Sequence, residues 1–197
     1  MAAKKEPERS VAAFRKACGP AQPYRPFKPA DAKRLGERLP AALRLLAEMD
    51  GWASYAEQTF WLCDPDDWSG IADDWMEDAP GAEVVMRTGF GDLLVWDGAF
   101  FWLVMPHQSS RMRLTDNAEW LLRSSLLNPE SYFQKDLPGM MERARREAGS
   151  LEADTLYTYV PALALGGDDK SSKIETEKAR EALSILAQLA PVAKLGL

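Results

Sequence analysis

The chain has 197 residues, 46% hydrophobic and 27% charged, with a formal net charge of −6; these are the values of a folded globular protein long enough for one domain or two fused small modules. Only Cys18 and Cys63 are present, which excludes a disulfide scaffold, and no run approaches the ~20 apolar residues of a membrane span. The start, Met1 to Arg9, lacks the apolar core of a signal peptide, so a cytoplasmic protein is expected.

In chain order, residues 1–22 read as a charged tail or lead-in, and Pro-rich sequence continues to Pro29. Leu39-Pro40 opens an amphipathic helix with Leu43, Leu46 and Met49 on one side, stopped at Asp50-Gly51. Trp52 to Cys63 reads as extended and aromatic. A helix is expected over 65–78, with Asp64 as N-cap and Pro65 at its first position, ended by Ala79-Pro80-Gly81. Glu83 to Arg87 fits a strand. Asp92 to Trp96 and Ala99 to Met105 fit a hairpin, because Asp97-Gly98 is a favoured two-residue turn. Gly89-Phe90-Gly91 lacks the third glycine of a dinucleotide fingerprint and reads as a turn.

Thr115 or Asp116 then caps a helix through Leu127, Asn128-Pro129 starts a short one, and Pro138 opens another ending near Gly149. Leu156 to Val160 is a strand ended by Pro161, which cannot donate to a ladder. Gly166-Gly167 form a turn in which at least one glycine is expected to be left-handed or tightly packed. A phosphate loop is excluded there, since Asp168 and Asp169 precede Lys170 where glycine is required. Lys173 to Glu175 fits either a strand or, with Ser172 and Glu175 as a capping box, a helix start. The last helix carries Ala179, Ala182, Leu183, Leu186, Leu189 and Ala190 on one face and stops at Pro191. This order predicts an α+β fold: a central, mostly antiparallel sheet with an aromatic hairpin, flanked by helices.

Charge is unevenly placed: +5 over residues 1–50, −10 over 51–100, +1 over 101–150 and −2 over 151–197. Between Asp64 and Glu83 every charged residue is acidic, which opposes direct binding of nucleic acid and favours a basic partner. In the expected helix, Trp68, Ile71, Ala72, Trp75, Met76 and Ala79 form one apolar stripe suited to the core. Asp66, Asp67, Asp73, Asp74, Glu77 and Asp78 lie opposite and are the candidate partner-binding residues. Asp66 and Asp67 suit a helix N-terminus, but Glu77 and Asp78 face the wrong dipole end, and Asp74 with Asp78 is a like-charged i, i+4 pair.

Catalytic and cofactor chemistry finds little support. His107 is the single histidine, so any Ser-His-Asp or Cys-His arrangement would depend wholly on it. Two distant cysteines and one histidine have no zinc spacing, and the acidic run lacks the alternation, central glycine and closing glutamate of an EF-hand. No metal, cofactor or catalytic residue is expected. Arg143, Arg145 and Arg146 are interleaved with Glu142 and Glu147 and read as a solvated face.

Tyr157-Thr-Tyr-Val-Pro-Ala-Leu-Ala-Leu-Gly-Gly-Asp-Asp169 resembles the C-terminal module of immunity proteins that bacteria with a type VI secretion system (T6SS) use against DNase toxins. Tyr24-Arg-Pro-Phe27, Leu39-Pro40, Gly51-Trp52-Ala-Ser-Tyr55, Phe60-Trp61 and Asp64-Pro65 resemble the GAD-like domain that precedes it in that family. Ala56-Glu57-Gln58-Thr59 departs from it, because the family tends to place a glycine in this turn. The resemblance implies a GAD-like module over 23–115 and an immunity module over 116–190, packed as one body. It also implies a non-enzymatic, cytoplasmic protein that binds and blocks a cognate effector toxin, a basic DNase domain. A regulatory interaction protein without a toxin partner is the alternative reading; an RNA-binding accessory domain is disfavoured by the charge map.

Overall fold

The computed structural model describes residues 6–189. Among them, seven strands form one antiparallel sheet in which each strand pairs with the next in sequence: β1 (Gln22–Arg25), β2 (Trp52–Tyr55), β3 (Phe60–Leu62), β4 (Glu83–Thr88), β5 (Leu93–Trp96), β6 (Phe101–Met105) and β7 (Ser110–Thr115). β8 (Thr155–Val160) and β9 (Lys173–Lys178) form a separate antiparallel hairpin, which settles Lys173 to Glu175 as strand. The fold class is the expected α+β.

Adjacent residues on a strand point to opposite faces, and the central strands obey this. Leu94, Phe101 and Leu103 join one apolar cluster, while Leu93, Val95 and Val104 join the other. The first cluster is covered by α1 (Glu6–Cys18) and α3 (Ala41–Asp50), by the helical segment of α4 (Ala118–Trp120) continued as a π-turn through Ser125, and by α6 (Leu137–Ala148). The second is covered by the acidic segment and α7 (Ala179–Leu189). β8 serves both: Leu156 enters the second cluster and Tyr157 and Tyr159 the first.

Several local expectations need correction. Residues 6–18 are not lead-in but α1, whose Val11 and Phe14 are fully buried; acidic residues in its first turn and basic ones in its last oppose its dipole. The Pro-rich stretch contains edge strand β1, where Pro23 is tolerated because an edge leaves one side of the ladder unpaired, and α2 (Pro29–Leu35). The 65–78 helix does not form: this stretch is a run of successive turns with i→i+3 bonds such as Asp67 N–H to Asp64 O and Ile71 N–H to Trp68 O. Gly70 at φ +81° breaks the helical path, and aspartates favour turns over helix interiors.

The β5–β6 loop spans Asp97 to Phe100 rather than two residues, since Trp96 pairs with Phe101. The Asp97 carboxylate accepts from the amides of Ala99 (2.8 Å) and Phe100 (2.6 Å) and from the Trp102 indole (2.6 Å), holding the wider turn closed. The cap of α4 is Asn117, whose Oδ1 accepts from Trp120 N–H at 2.7 Å, not Thr115 or Asp116. In the final helix Ala179, Ala182, Leu183 and Leu186 are buried as expected but Leu189 is exposed; Ala190 and Pro191 lie outside the described residues.

The turn between β2 and β3 holds three consecutive non-glycine residues at positive φ, Ala56 (48°), Glu57 (52°) and Gln58 (68°), each an unfavourable backbone state. Distant contacts fix it. Gln58 Nε2 donates to Leu151 O and Leu151 N–H donates to Gln58 Oε1, both at 2.8 Å, and Arg145 donates to Glu57 O at 2.9 Å.

Candidate partner-binding surface

The acidic segment is anchored from below by its apolar side chains. Trp68, Ile71, Ala72, Trp75 and Met76 are buried against the sheet and α7, so the expected stripe serves the core although its helix is absent. Successive tight turns also bring residues three and four apart to one side, which is why the pattern survives the loss of regular structure.

Arginines from elsewhere in the chain meet several of the acids. Asp64, with a side chain 1% exposed, accepts from Arg25 of β1 at 2.6 Å and Arg34 of α2 at 2.7 Å. Burial pushes its pKa up, but the Arg34 and Arg25 hydrogen bonds outweigh this and hold it below the usual carboxylate range. Asp66 pairs with Arg34 and with Arg38 (2.9 Å), and Asp67 pairs with Arg25 (2.9 Å). Asp78 accepts two bonds from Arg111 of β7, at 2.6 and 2.7 Å, a bidentate fork. The positive excess of the first 50 residues therefore neutralises part of the negative excess that follows.

The six candidate residues accordingly divide. Asp66, Asp67 and Asp78 remain partly exposed but are engaged with arginines. Asp73, Asp74 and Glu77 are exposed, and none of them forms an ion pair or hydrogen bond with a described residue. They project from turns whose intervening residues, Trp75 and Met76, are locked in the core. Under this surface lies Arg87, wholly buried, its guanidinium 4.5 Å from the Trp61 ring centre and 5.2 Å from that of Trp68. It donates to the carbonyls of Thr88 (3.1 Å) and Ala153 (3.0 Å); burial pushes its pKa down to about 10, leaving it charged at neutral pH.

Elsewhere a cleft of about 690 Å³ opens between the β4–β5 turn and the C-terminal segment. It brings together side chains that sequence reasoning left apart: Phe90, Asp92, His107, Tyr132 and Tyr159. Phe90 stacks on Tyr159 with centroids 5.3 Å apart and planes at 23°, and His107 meets both rings edge-on. His107 is 7% and Tyr159 3% exposed, yet neither ring nitrogen nor the phenol oxygen makes a hydrogen bond of acceptable geometry. Burial pushes the His107 pKa down to about 4, although the nearby Tyr157 and Phe90 carbonyls pull slightly the other way. Asp92 is 3% exposed and receives only neutral donors, Tyr132 and Thr88; burial pushes its pKa up to about 6.

Gly167 of the Gly-Gly turn lines the cleft beside Leu163 and Asp168. Gly166 is left-handed at φ +85°, and a Cβ on Gly167 would lie 2.1 Å from Pro161 O, so both glycines are demanded by the backbone. Arg143 ties the following loop by donating to Asp169 O at 2.7 Å and pairs with Glu147 at 2.7 Å, so it is structural as well as solvated. Among the described residues, no group of three or more His, Cys, Asp or Glu is placed to hold a metal ion, and no helix is long and apolar enough to cross a membrane.

The architecture is that of an α+β protein with a sequential antiparallel sheet between two covering layers. The crystal structure of Atu4351 from Agrobacterium tumefaciens has the same fold: TM-score 0.71, 17% identity, covering 88% of this chain and 86% of that one. No curated protein matches the chain. Residues 9–108 match the family model of the GAD-like domain, more than half of the sequence, and the chain belongs to that family. Residues 121–190 match the model described as T6SS immunity protein Tdi1, C-terminal, so both modules indicated by the sequence resemblance are present in the expected order.

Proposed function

We propose that this protein is a non-enzymatic immunity protein that binds a cognate T6SS effector in the cytoplasm and neutralises it. The observation that carries this reading is the pairing of the two family matches on one chain, a GAD-like region followed by the C-terminal region of Tdi1. We further propose that the effector is a DNase with a basic surface. Such a surface is complementary to Asp73, Asp74 and Glu77, with Asp66, Asp67 and Asp78 at their flanks.

The geometry supports a binding role for these groups. A charge on an anchored turn loses little freedom when a partner arrives, so more of its attraction remains as affinity. Capture of a tagged protein from the native cell, followed by co-expression with the captured effector, tests the reading. The expected result is a single DNase partner whose lethality is suppressed. Capture of no effector, or an effector whose toxicity persists despite stable binding, would contradict it.

A further inference from the structure

The acceptors inside the cleft lack a donor of matching chemistry. His107, held neutral by burial, and Tyr159 border the cleft with polar atoms that lack a partner and are shielded from solvent, and Asp92 adds a carboxylate whose bonded partners, Tyr132 and Thr88, carry no charge. Lys135 is the cation on the lining, and its ammonium lies 3.4 Å from Glu130. Asp136 and Asp169 stand exposed at the mouth. Anions are therefore repelled from both the mouth and the floor. An apolar ligand would leave His107 and Tyr159 unsatisfied and Asp92 without a countercharge, at roughly 1–3 kcal/mol for each unsatisfied group.

What fits is a flat cation with several N–H groups. A guanidinium carries five donors in one plane and stacks favourably on aromatic rings, whereas an ammonium has three donors on a strongly hydrated point charge. The paired rings of Phe90 and Tyr159 supply an aromatic wall. We propose that the cleft receives a guanidinium group, the side chain of an arginine on the partner protein, which donates to Asp92 and, as the bordering rings shift to uncover their polar atoms, to His107 and Tyr159. This assignment rests on the reading that the partner is a basic effector, and it places a second contact apart from the acidic turns.

The probe is ethylguanidinium, titrated into the full chain while the backbone amide resonances of Phe90, Gly91 and Gly167 are followed. Saturable shifts in the millimolar range are expected, with butylammonium binding more weakly. Tyr159→Phe removes one acceptor and Asp92→Asn the countercharge; each is expected to weaken ethylguanidinium binding by about tenfold. Tyr159→Phe deletes only an oxygen that has no internal partner, so it tests the site even if Asp92→Asn does not fold. Absence of saturable shifts, or binding that both folded variants retain in full, would overturn the proposal. The titration needs no effector, so its failure is distinguishable from failure of the immunity reading. If ethylguanidinium binds as expected but Tyr159→Phe and Asp92→Asn leave effector affinity unchanged, the ligand is a free guanidinium compound and the partner's arginine is ruled out.

Discussion

Tyr132 donates its hydroxyl to the buried Asp92 carboxylate over 2.8 Å, and Thr88 donates to the same oxygen over 2.9 Å. One donor comes from the C-terminal region and one from the sheet, so this oxygen helps join the two. Tyr132→Phe leaves the carboxylate with one side-chain donor. Stability should fall by about 1–3 kcal/mol at neutral pH, read from urea unfolding, and by less near pH 4.5, where a larger share of Asp92 is protonated. A loss independent of pH would mean that packing, not the hydrogen bond, is what Tyr132 contributes.

Asp92 and His107 should give opposite pH dependences. The folded pKa of Asp92, about 6, lies above its ordinary 3.8, so its contribution is fully present below pH 4 and is lost as pH rises to 6. The folded pKa of His107, about 4, lies below its ordinary 6.5, so the penalty for burying it appears as pH falls from 6.5 to 4. Tyr132, Tyr159, Lys135, Asp136, Asp168 and Asp169 also face this cleft and are common to every variant. Relative to wild type, Asp92→Asn should gain on the order of 2–3 kcal/mol between pH 4 and 7. His107→Phe should show the reverse, gaining most at low pH. Parallel stability profiles for the three proteins would refute both assignments.

The extended stretch over β2 and β3, the strands β4, β5, β6 and β8, and the ends of α3 and α6 are legible in the sequence because local chemistry fixes them: Gly51 and Gly149 stop their helices, Pro161 ends β8, and alternating apolar residues mark β5 and β6; α1, β1, α2 and β7 lie in charged or Pro-rich sequence whose apolar positions acquire a partner only in the folded chain. The acidic segment is half legible. Its apolar stripe correctly identifies the buried side, but Gly70 denies it the helix, and Arg25, Arg34 and Arg111 lie too far along the chain for any local pattern to pair them with aspartates. The cleft is invisible for the same reason, since Phe90, His107 and Tyr159 meet only through tertiary packing. A useful signal in the sequence is the departure at Ala56-Glu57-Gln58. Where the family tends to use glycine, this chain holds a strained turn with long-range bonds.

That turn should depend on Gln58. Gln58→Ala removes both bonds to the Leu151 backbone and frees the three left-handed residues from their main restraint. A loss of about 2–3 kcal/mol is expected, seen as a lower unfolding midpoint. Ala56→Gly in the Gln58→Ala background should recover part of it, because glycine accepts positive φ. No recovery would show that the backbone strain is not what Gln58 offsets.

The two glycines of the 166–167 turn should respond unequally. Gly166→Ala meets open space and is strained only by its φ, costing about 1 kcal/mol. Gly167→Ala would force a methyl against the carbonyls of Pro161 and Ala162, 2.1 and 2.8 Å from its ideal position, and should cost more, about 2–4 kcal/mol. Thermal unfolding of the two variants gives the order directly, and equal costs would mean that the 161–167 backbone yields readily.

The acidic turns provide the sharpest test, because their six carboxylates should separate into two groups. Replacing Asp73, Asp74 and Glu77 by Lys touches no ion pair among the described residues and leaves Trp68, Ile71 and Trp75 in the core. The variant should fold with wild-type stability within about 0.5 kcal/mol, yet bind the effector more slowly and fail to protect in co-expression. Asp78→Lys instead sets two cations against each other at Arg111 and should lower stability whether or not an effector is present. Exposed charges are screened over about 10 Å at 0.1 M salt. Raising salt should therefore slow association of the wild-type protein far more than that of the triple variant. If the triple variant folds, associates and protects like the wild type, Asp73, Asp74 and Glu77 are solvated surface, and recognition must rest on the inter-element cleft or on another face.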